Sequence, residues 1–158
     1  MEAVRFAKHD EVGRAALLYH DVWHETHGPR MPQAERQARD VAFFSERISK
    51  LMPNVLLGKD NEQVVGFASW SGCLLGQIFV VPAYRGRQVA IRLLQRVEIE
   101  FHQQGVQLAE LHCLVGNDRA KRFYERAGWV LKEIISEPMN GDAGDNSREF
   151  WSMSKQLV

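Results

Sequence analysis

Apolar and polar positions along the chain change period several times, and each change predicts an element. Residues 1–7 read as a short first strand, after which Asp10 or an adjacent polar residue can cap a helix running to about residue 26. Ala15, Tyr19, Val22 and Thr26 recur at helical spacing and form its inward stripe. Gly28-Pro29 stops that helix, and Pro32 precedes a second over residues 34–49, where Ala38, Val41, Phe44 (or Ala42) and Ile48 repeat. Residues 54–58, 64–70 and 73–81 then read as an antiparallel meander of three strands, broken by Lys59-Asp60-Asn61 and by Ser71-Gly72. From residue 87 to about 103 the period returns to helical. Val89, Leu93, Leu94, Val97 and Phe101 line one face, Arg92, Gln95, Arg96 and Glu100 the other, and Gly105 ends the run. Residues 108–115 predict a fifth strand, 117–126 a short helix, 129–135 a sixth strand and 148–154 a last one. The stretch 137–147, rich in Gly, Asp and Asn, reads as a mobile surface loop. The order implies one mixed α+β domain over residues 1–158, with no repeat, low-complexity tract or linker.

Composition changes this picture little. The chain has 158 residues, 45% of them hydrophobic and 25% charged, with twenty charges of each sign. That balance predicts neither a nucleic-acid nor a membrane partner, so any electrostatic preference must be local. No apolar run resembles a signal peptide or a membrane span, which makes a cytoplasmic location the default expectation. Cys73 and Cys113 both fall in apolar, strand-like runs and are expected as buried free thiols.

The first chemistry appears at residues 77–94. A strand feeds through Pro82-Ala83-Tyr84-Arg85-Gly86-Arg87 into a helix, which gathers unpaired N–H groups and the positive end of a helix dipole. Arg85 and Arg87 add charge, so an anion such as a pyrophosphate could bind there. A basic loop that merely starts a helix explains the same residues. Neither GxxxxGK[ST] nor GxGxxG is present. His20, His24 and His27 share a face of the first helix, but the HExxH order is absent, and a polar helix face without metal is the reading.

Three segments together resemble the GCN5-related N-acetyltransferases, the GNAT family. Arg85-Gly86-Arg87-Gln88-Val89-Ala90 matches the family's [RQ]-x-x-G-x-[GA] loop at its first and last positions, with Gln88 where glycine is expected, and Ile78-Phe79-Val80-Val81-Pro82 is similar to the strand before it. Asn117-Asp118-Arg119-Ala120-Lys121-Arg122-Phe123-Tyr124-Glu125-Arg126-Ala127-Gly128-Trp129 is similar to the whole N-x-x-A-x-x-[FL]-Y-x-x-x-G-[FW] signature, and Trp23-His24-Glu25-Thr26-His27-Gly28 resembles the end of the first family helix.

The resemblance implies a GNAT fold: a mixed, mostly antiparallel sheet of about seven strands with about four helices, the fourth and fifth strands splayed around the arm of CoA. It implies acetyl-CoA as acyl donor, with the arm paired to the backbone of Ile78, Phe79 and Val80 and the pyrophosphate surrounded by N–H groups of Gly86, Arg87, Gln88, Val89, Ala90 and Ile91 after Arg85. Asn117 would cap its helix and touch the same arm. Tyr124 falls where the family's general acid sits, and a phenol with a pKa of about 10 can protonate a thiolate of about 8.5. The base position of one family branch corresponds to His112, which alternation sets on the face opposite Leu111 and Cys113; Glu110 is a weaker candidate on His112's face. Trp23, His24, His27 and Trp70 are implied acceptor-lining residues, with Phe43 and Trp151 behind them.

The implied reaction moves an acetyl group from acetyl-CoA directly to a primary amine, which could be a small molecule, an amino acid or a protein N-terminus. The alternative is a CoA-binding or ligand-sensing module with little activity; another acyl group and a homodimer through the late strands also stay open. For Gln88 the expectation is a modified anion site rather than a lost one. Glutamine keeps its N–H, and a helix start is expected to need no positive φ there.

Overall fold

The computed structural model describes residues 2–138 and 147–157. Strands β1 (Glu2–Phe6), β2 (Val55–Asp60), β3 (Gln63–Ser71), β4 (Leu74–Val80), β5 (Leu108–Leu114), β6 (Val130–Pro138) and β7 (Ser147–Gln156) make a seven-stranded sheet in the order β1-β2-β3-β4-β5-β7-β6. Helices α1 (Val12–Thr26), α2 (Gln33–Ala38), α3 (Val41–Leu51), α4 (Val89–Gln103) and α5 (Asp118–Arg126) complete a mixed α+β fold. Among the described residues no helix is long and apolar enough to cross a membrane. The chain divides into two compact units, Met1–Ser71 with Gln77–Val97 and Gly72–Gly76 with Glu98–Val158.

In the first unit α1 buries Ala15, Ala16, Leu18, Tyr19, Val22 and Trp23, a wider stripe than the periodicity predicts, with Thr26 only half-buried. Asp10 does not cap it by a side-chain bond. A 3-10 turn, His9–Glu11, precedes the helix instead, and the Glu11 carboxylate folds back to accept from the Lys8 N–H. The expected second helix is two. Arg39 leaves the helical conformation (φ −89°, ψ 63°), and Asp40 restarts the chain by accepting from the Phe43 N–H at 2.8 Å. Of the predicted stripe only Phe44 and Ile48 are buried, because Ala38 lies before the break and Val41 begins the new turn outside the core.

Two glycines bring α4 onto the strands. Gly58 and Gly66 face each other across β2 and β3, and a Cβ at Gly66 would lie 3.0 Å from the Phe79 carbonyl oxygen and 3.2 Å from side-chain atoms of Val89 and Leu93. A Cβ at Gly58 would meet Val89 at 3.1 Å. The first turn of α4 occupies the space that two side chains would otherwise fill.

Buried charge ties the chain's start to β2. Glu11 accepts from Arg5 at 2.8 and 2.5 Å and from Lys59 at 2.8 Å, and both Glu11 and Lys59 are buried. The Arg5 guanidinium foremost, then Lys59 and the Lys8 N–H, hold the Glu11 carboxyl far below the usual carboxylate range against the opposing effect of burial.

In the second unit β5 runs parallel to β4 at Leu74–Leu75 against Glu110–Leu111, and antiparallel to β7 with His112 opposite Ser152. β6 pairs with β7 through a bulge between Leu131 and Glu133. Beside the sheet, Glu98 accepts from Lys155 at 2.8 Å and from the Trp129 indole at 3.2 Å. Cys113 is buried as expected, but Cys73 is exposed because the chain turns there before β4 begins. Glu137, Pro138 and Ser147, expected in a loop, belong to β6 and β7, which pair to their ends; the rest of that expected loop, 139–146, lies outside the described residues.

The Glu11 cluster predicts acid lability. With a depressed folded pKa, its contribution is complete above the unfolded value near 4.5 and is lost as pH falls through the folded value. Glu11→Gln should lower unfolding free energy by about 3 kcal/mol at pH 7 and flatten the acid limb of a denaturation series. An unchanged acid limb refutes this role. Gly66→Ala should cost about 2 kcal/mol in a urea titration, because the contact is with backbone, and Gly58→Ala should cost less.

Candidate functional site

In the first unit, the chain leaves β4 through a 3-10 turn, Pro82–Tyr84, and enters α4 after Arg85–Gly86–Arg87–Gln88. Tyr84 donates from its hydroxyl to Asp60 at 2.5 Å, which holds the Asp60 carboxyl below its ordinary range, and the Arg87 guanidinium lies 5.0 Å over the Tyr84 ring. Arg85 is an anchor. Its guanidinium forks onto Glu25 at 2.8 and 2.7 Å and donates from Nε to the Val80 carbonyl at 3.1 Å, so its charge is directed at α1 and β4.

Gly86 and Gln88 both lie in the left-handed region, at φ 77° and 66°. The expectation that position 88 needs no positive φ is therefore wrong. The turn must reverse direction between Arg85 and Val89 while leaving the Gln88 carbonyl placed to accept the first helical bond, from Arg92 at 3.1 Å. An L-residue held there costs about 1 kcal/mol relative to glycine's free choice. Gly86, Arg87 and Gln88 are exposed, Ala90 and Ile91 half-buried, and the N–H groups of the first α4 turn have no acceptor within the helix. Together these N–H groups and the dipole suit an anion. Of the predicted arm-binding residues, Ile78 is half-buried, and Phe79 and Val80 are buried.

Trp23, His24 and His27 fall together at the end of α1. Trp23 is 1% exposed and His27 9%, and burial with the nearby charge of Arg30 lowers the His27 pKa to about 4, so it is neutral at pH 7. His24 Nε2 lies 2.7 Å from the Arg39 carbonyl, while His20 contacts Asp21. Among the described residues no three His, Cys, Asp or Glu side chains gather as a metal site. Trp70 is buried against Phe6, 6.2 Å between ring centroids. Phe43 is stacked by arginines, with the Arg39 guanidinium 4.4 Å from its ring centroid.

In the second unit Asn117 caps α5 by accepting from the Ala120 N–H at 3.3 Å. Gly128 at φ 95° ends the helix and returns Trp129 to accept α5's geometry, its N–H bonding to the Tyr124 carbonyl at 3.0 Å. Tyr124 is buried and Phe123 half-buried, and the Tyr124 ring lies 6.3 Å from that of Trp129. Burial, reinforced by Cys113, raises the Tyr124 pKa well above its ordinary value, and burial likewise pushes the Cys113 thiol up to about 12. At neutral pH Tyr124 is thus protonated.

His112 lies between two carboxylates, with Nδ1 2.8 Å from Glu137 and Nε2 3.2 Å from Glu110. Carboxylates only accept, so a neutral His112 ring can donate to one of them at a time, and both contacts are hydrogen bonds only when the ring carries both protons. The sequence reading weighed Glu110 but missed Glu137, since nothing local ties the end of β6 to β5. It equally missed the Glu25–Arg85 pair, sixty residues apart. Trp151 lies 5.3 Å under the Lys121 ammonium.

Residues 16–129 match the acetyltransferase (GNAT) family. No curated protein matches the chain. Among solved structures it is similar to a GCN5-related N-acetyltransferase from Rhodopseudomonas palustris, 22% identical over 99% of this chain and 96% of that one, with a TM-score of 0.78. The paiA N-acetyltransferase of Thermoplasma acidophilum, solved with coenzyme A, is 14% identical over 99% of each chain, with a TM-score of 0.77. The putative acetyltransferase yncA of Salmonella typhimurium, solved with acetyl-CoA, is 19% identical over 100% of this chain and 95% of that one, with a TM-score of 0.69. At these identities the structures speak to the fold, and the match over residues 16–129 speaks to descent: the chain belongs to the GNAT acetyltransferase family.

Proposed function

We propose that residues 1–158 act as one acetyltransferase domain that moves an acetyl group from acetyl-CoA directly to a primary amine. The observation that carries this reading is Tyr124, buried on a helix capped by Asn117 and kept protonated by its surroundings. The amine lone pair attacks the thioester carbon, the C–S bond breaks, and the Tyr124 hydroxyl delivers its proton to the departing sulfur. The proton lost by the amine goes to His112, directly or through water, with Glu110 and Glu137 stabilising the imidazolium that results. Backbone N–H groups of β4 stabilise the oxyanion, and the N–H groups from Gly86 to Ile91 receive the pyrophosphate. Arg85 acts here by fixing the loop, because Glu25 and Val80 already hold its guanidinium. Trp23, His24 and His27 border the acceptor; Trp70 is a weaker member of that group.

A second reading, a CoA-binding module without turnover, is favoured by the engagement of both His112 nitrogens with carboxylates. Thiol release from acetyl-CoA across an amine panel, beside calorimetric CoA binding, separates the two. Tyr124→Phe should lower kcat about a hundredfold and leave the acetyl-CoA Kd within twofold. Equal kcat for the variant removes Tyr124 from the chemistry. His112→Ala should lower kcat with the acetyl-CoA Kd little changed; an unchanged kcat assigns the base elsewhere. Gln88→Gly should raise stability by about 0.5 kcal/mol, since relief of the left-handed strain exceeds the entropy glycine adds to the unfolded chain. Weaker acetyl-CoA binding in that variant would mark the glutamine amide as a phosphate donor, and tighter binding would mark it as an obstruction.

A further inference from the structure

Tyr19, Trp23 and His27 project at four-residue intervals along one face of α1 and its end, and among the described residues the Tyr19 hydroxyl, the Trp23 Nε1–H and the His27 Nδ1 are buried without a well-formed hydrogen bond, the Tyr19 oxygen having the Arg47 guanidinium beside it. Native interiors satisfy nearly all such groups, so three on one face are unusual. Around them lies positive charge. Arg39, 4% exposed, stacks 5.7 Å from Trp23 and 4.4 Å from Phe43, and the Arg47 guanidinium approaches Phe43 from 5.9 Å. Both arginines act on the Tyr19 hydroxyl, whose pKa burial nevertheless raises, so it remains a donor.

An indole N–H can only donate, a protonated phenol donates, and a guanidinium has no acceptor. His27, neutral, can present an N–H as well. Such a set is unsuited to a free ammonium and well suited to an oxyanion. Its location ties it to the acetyl donor's strand: the Tyr19 ring lies 5.4 Å, and the His27 ring 6.1 Å, from Phe79 of β4.

We infer that this face of α1, with Arg39 and Arg47, recognises a carboxylate on the acceptor, so that the preferred amine is an amino acid rather than a simple alkylamine. The inference rests on the acetyltransferase reading for its substrate, though the carboxylate site itself can be tested by binding alone. Buried donors would bond the carboxylate oxygens while the guanidiniums neutralise the charge, leaving the amine at the other end of the molecule free to react.

The test uses matched pairs in which an α-, β- or ω-amino acid is compared with its decarboxylated amine, for example lysine with 1,5-diaminopentane and phenylalanine with phenethylamine. Thiol release from acetyl-CoA should show kcat/KM at least tenfold higher for an amino acid than for its partner. Tyr19→Phe and Arg47→Gln should each erase most of that ratio by raising KM for the acid with kcat little changed. Tyr19→Phe should leave Tm unchanged or higher, since it deletes an unsatisfied buried hydroxyl; this separates a binding role from a structural one. Equal or better use of decarboxylated amines overturns the carboxylate site while the acetyltransferase reading stands. Should no amine be acetylated, calorimetry of the same pairs in the presence of CoA decides: carboxylate-dependent binding that Tyr19→Phe weakens supports the site, and its absence refutes it. A discrimination ratio unmoved by either variant shows that water serves the buried donors, and also refutes it.

Discussion

The approach of α4 to the sheet at Gly58 and Gly66 governs the first unit. Val89 and Leu93 can reach this depth only because two strand positions lack a side chain, and the Phe79 carbonyl is packed into the same space. The start of α4 is thereby fixed to the strand that precedes it, leaving a short link in which to reverse direction. Four residues, Arg85 to Gln88, make that reversal, and the left-handed conformations of Gly86 and Gln88 follow from it. The pairing of Arg85 with Glu25 then closes the loop against α1. What looks like a basic phosphate-binding turn is, at Arg85, a structural bracket, which leaves the backbone N–H groups as the donors suited to an anion there.

A different constraint shapes the second unit. Its polar side chains are paired with one another: Glu98 with Lys155 and Trp129, His112 with Glu110 and Glu137. Tyr124 stands apart, buried among aromatics where ionisation is disfavoured. Desolvation alone suffices to keep it protonated, with no charged partner required. A phenol buried in this way keeps its proton over a wide pH range, because burial penalises the charged phenolate.

The parts of this architecture that were legible in the sequence are those decided locally. The five apolar positions of α4, the Gly105 stop after it and the Asn117 cap are written within a few residues of where they act, and all appear where they were expected. Long-range decisions were not legible. The break at Arg39–Asp40 is hidden inside an unbroken helical pattern, because a capping aspartate competes with continuation and only packing decides between them. Gln88 misled for the opposite reason. A helix start usually tolerates ordinary φ, and only the fixed depth of Val89 demands otherwise. For the candidate site, the motif residues could be placed from sequence, but their partners Glu25 and Glu137 could not.

Gln88 and the donors on α1 share a thermodynamic character. Each is a local arrangement that is less favourable in the unliganded chain than an available substitution would be: glycine at 88, phenylalanine at 19. Local cost of this kind persists where the surrounding fold over-determines it, and the surrounding fold here is the glycine-permitted contact of α4 and the aromatic packing of Tyr19 with Phe44 and Phe67. A ligand that bonds the unpaired groups recovers free energy the folded chain alone forgoes, so its binding stabilises the fold through the same atoms that select it. The left-handed loop exposes backbone N–H groups at the start of α4, and the α1 face buries O–H and N–H donors, so the chemistry of both places suits an anion rather than a cation.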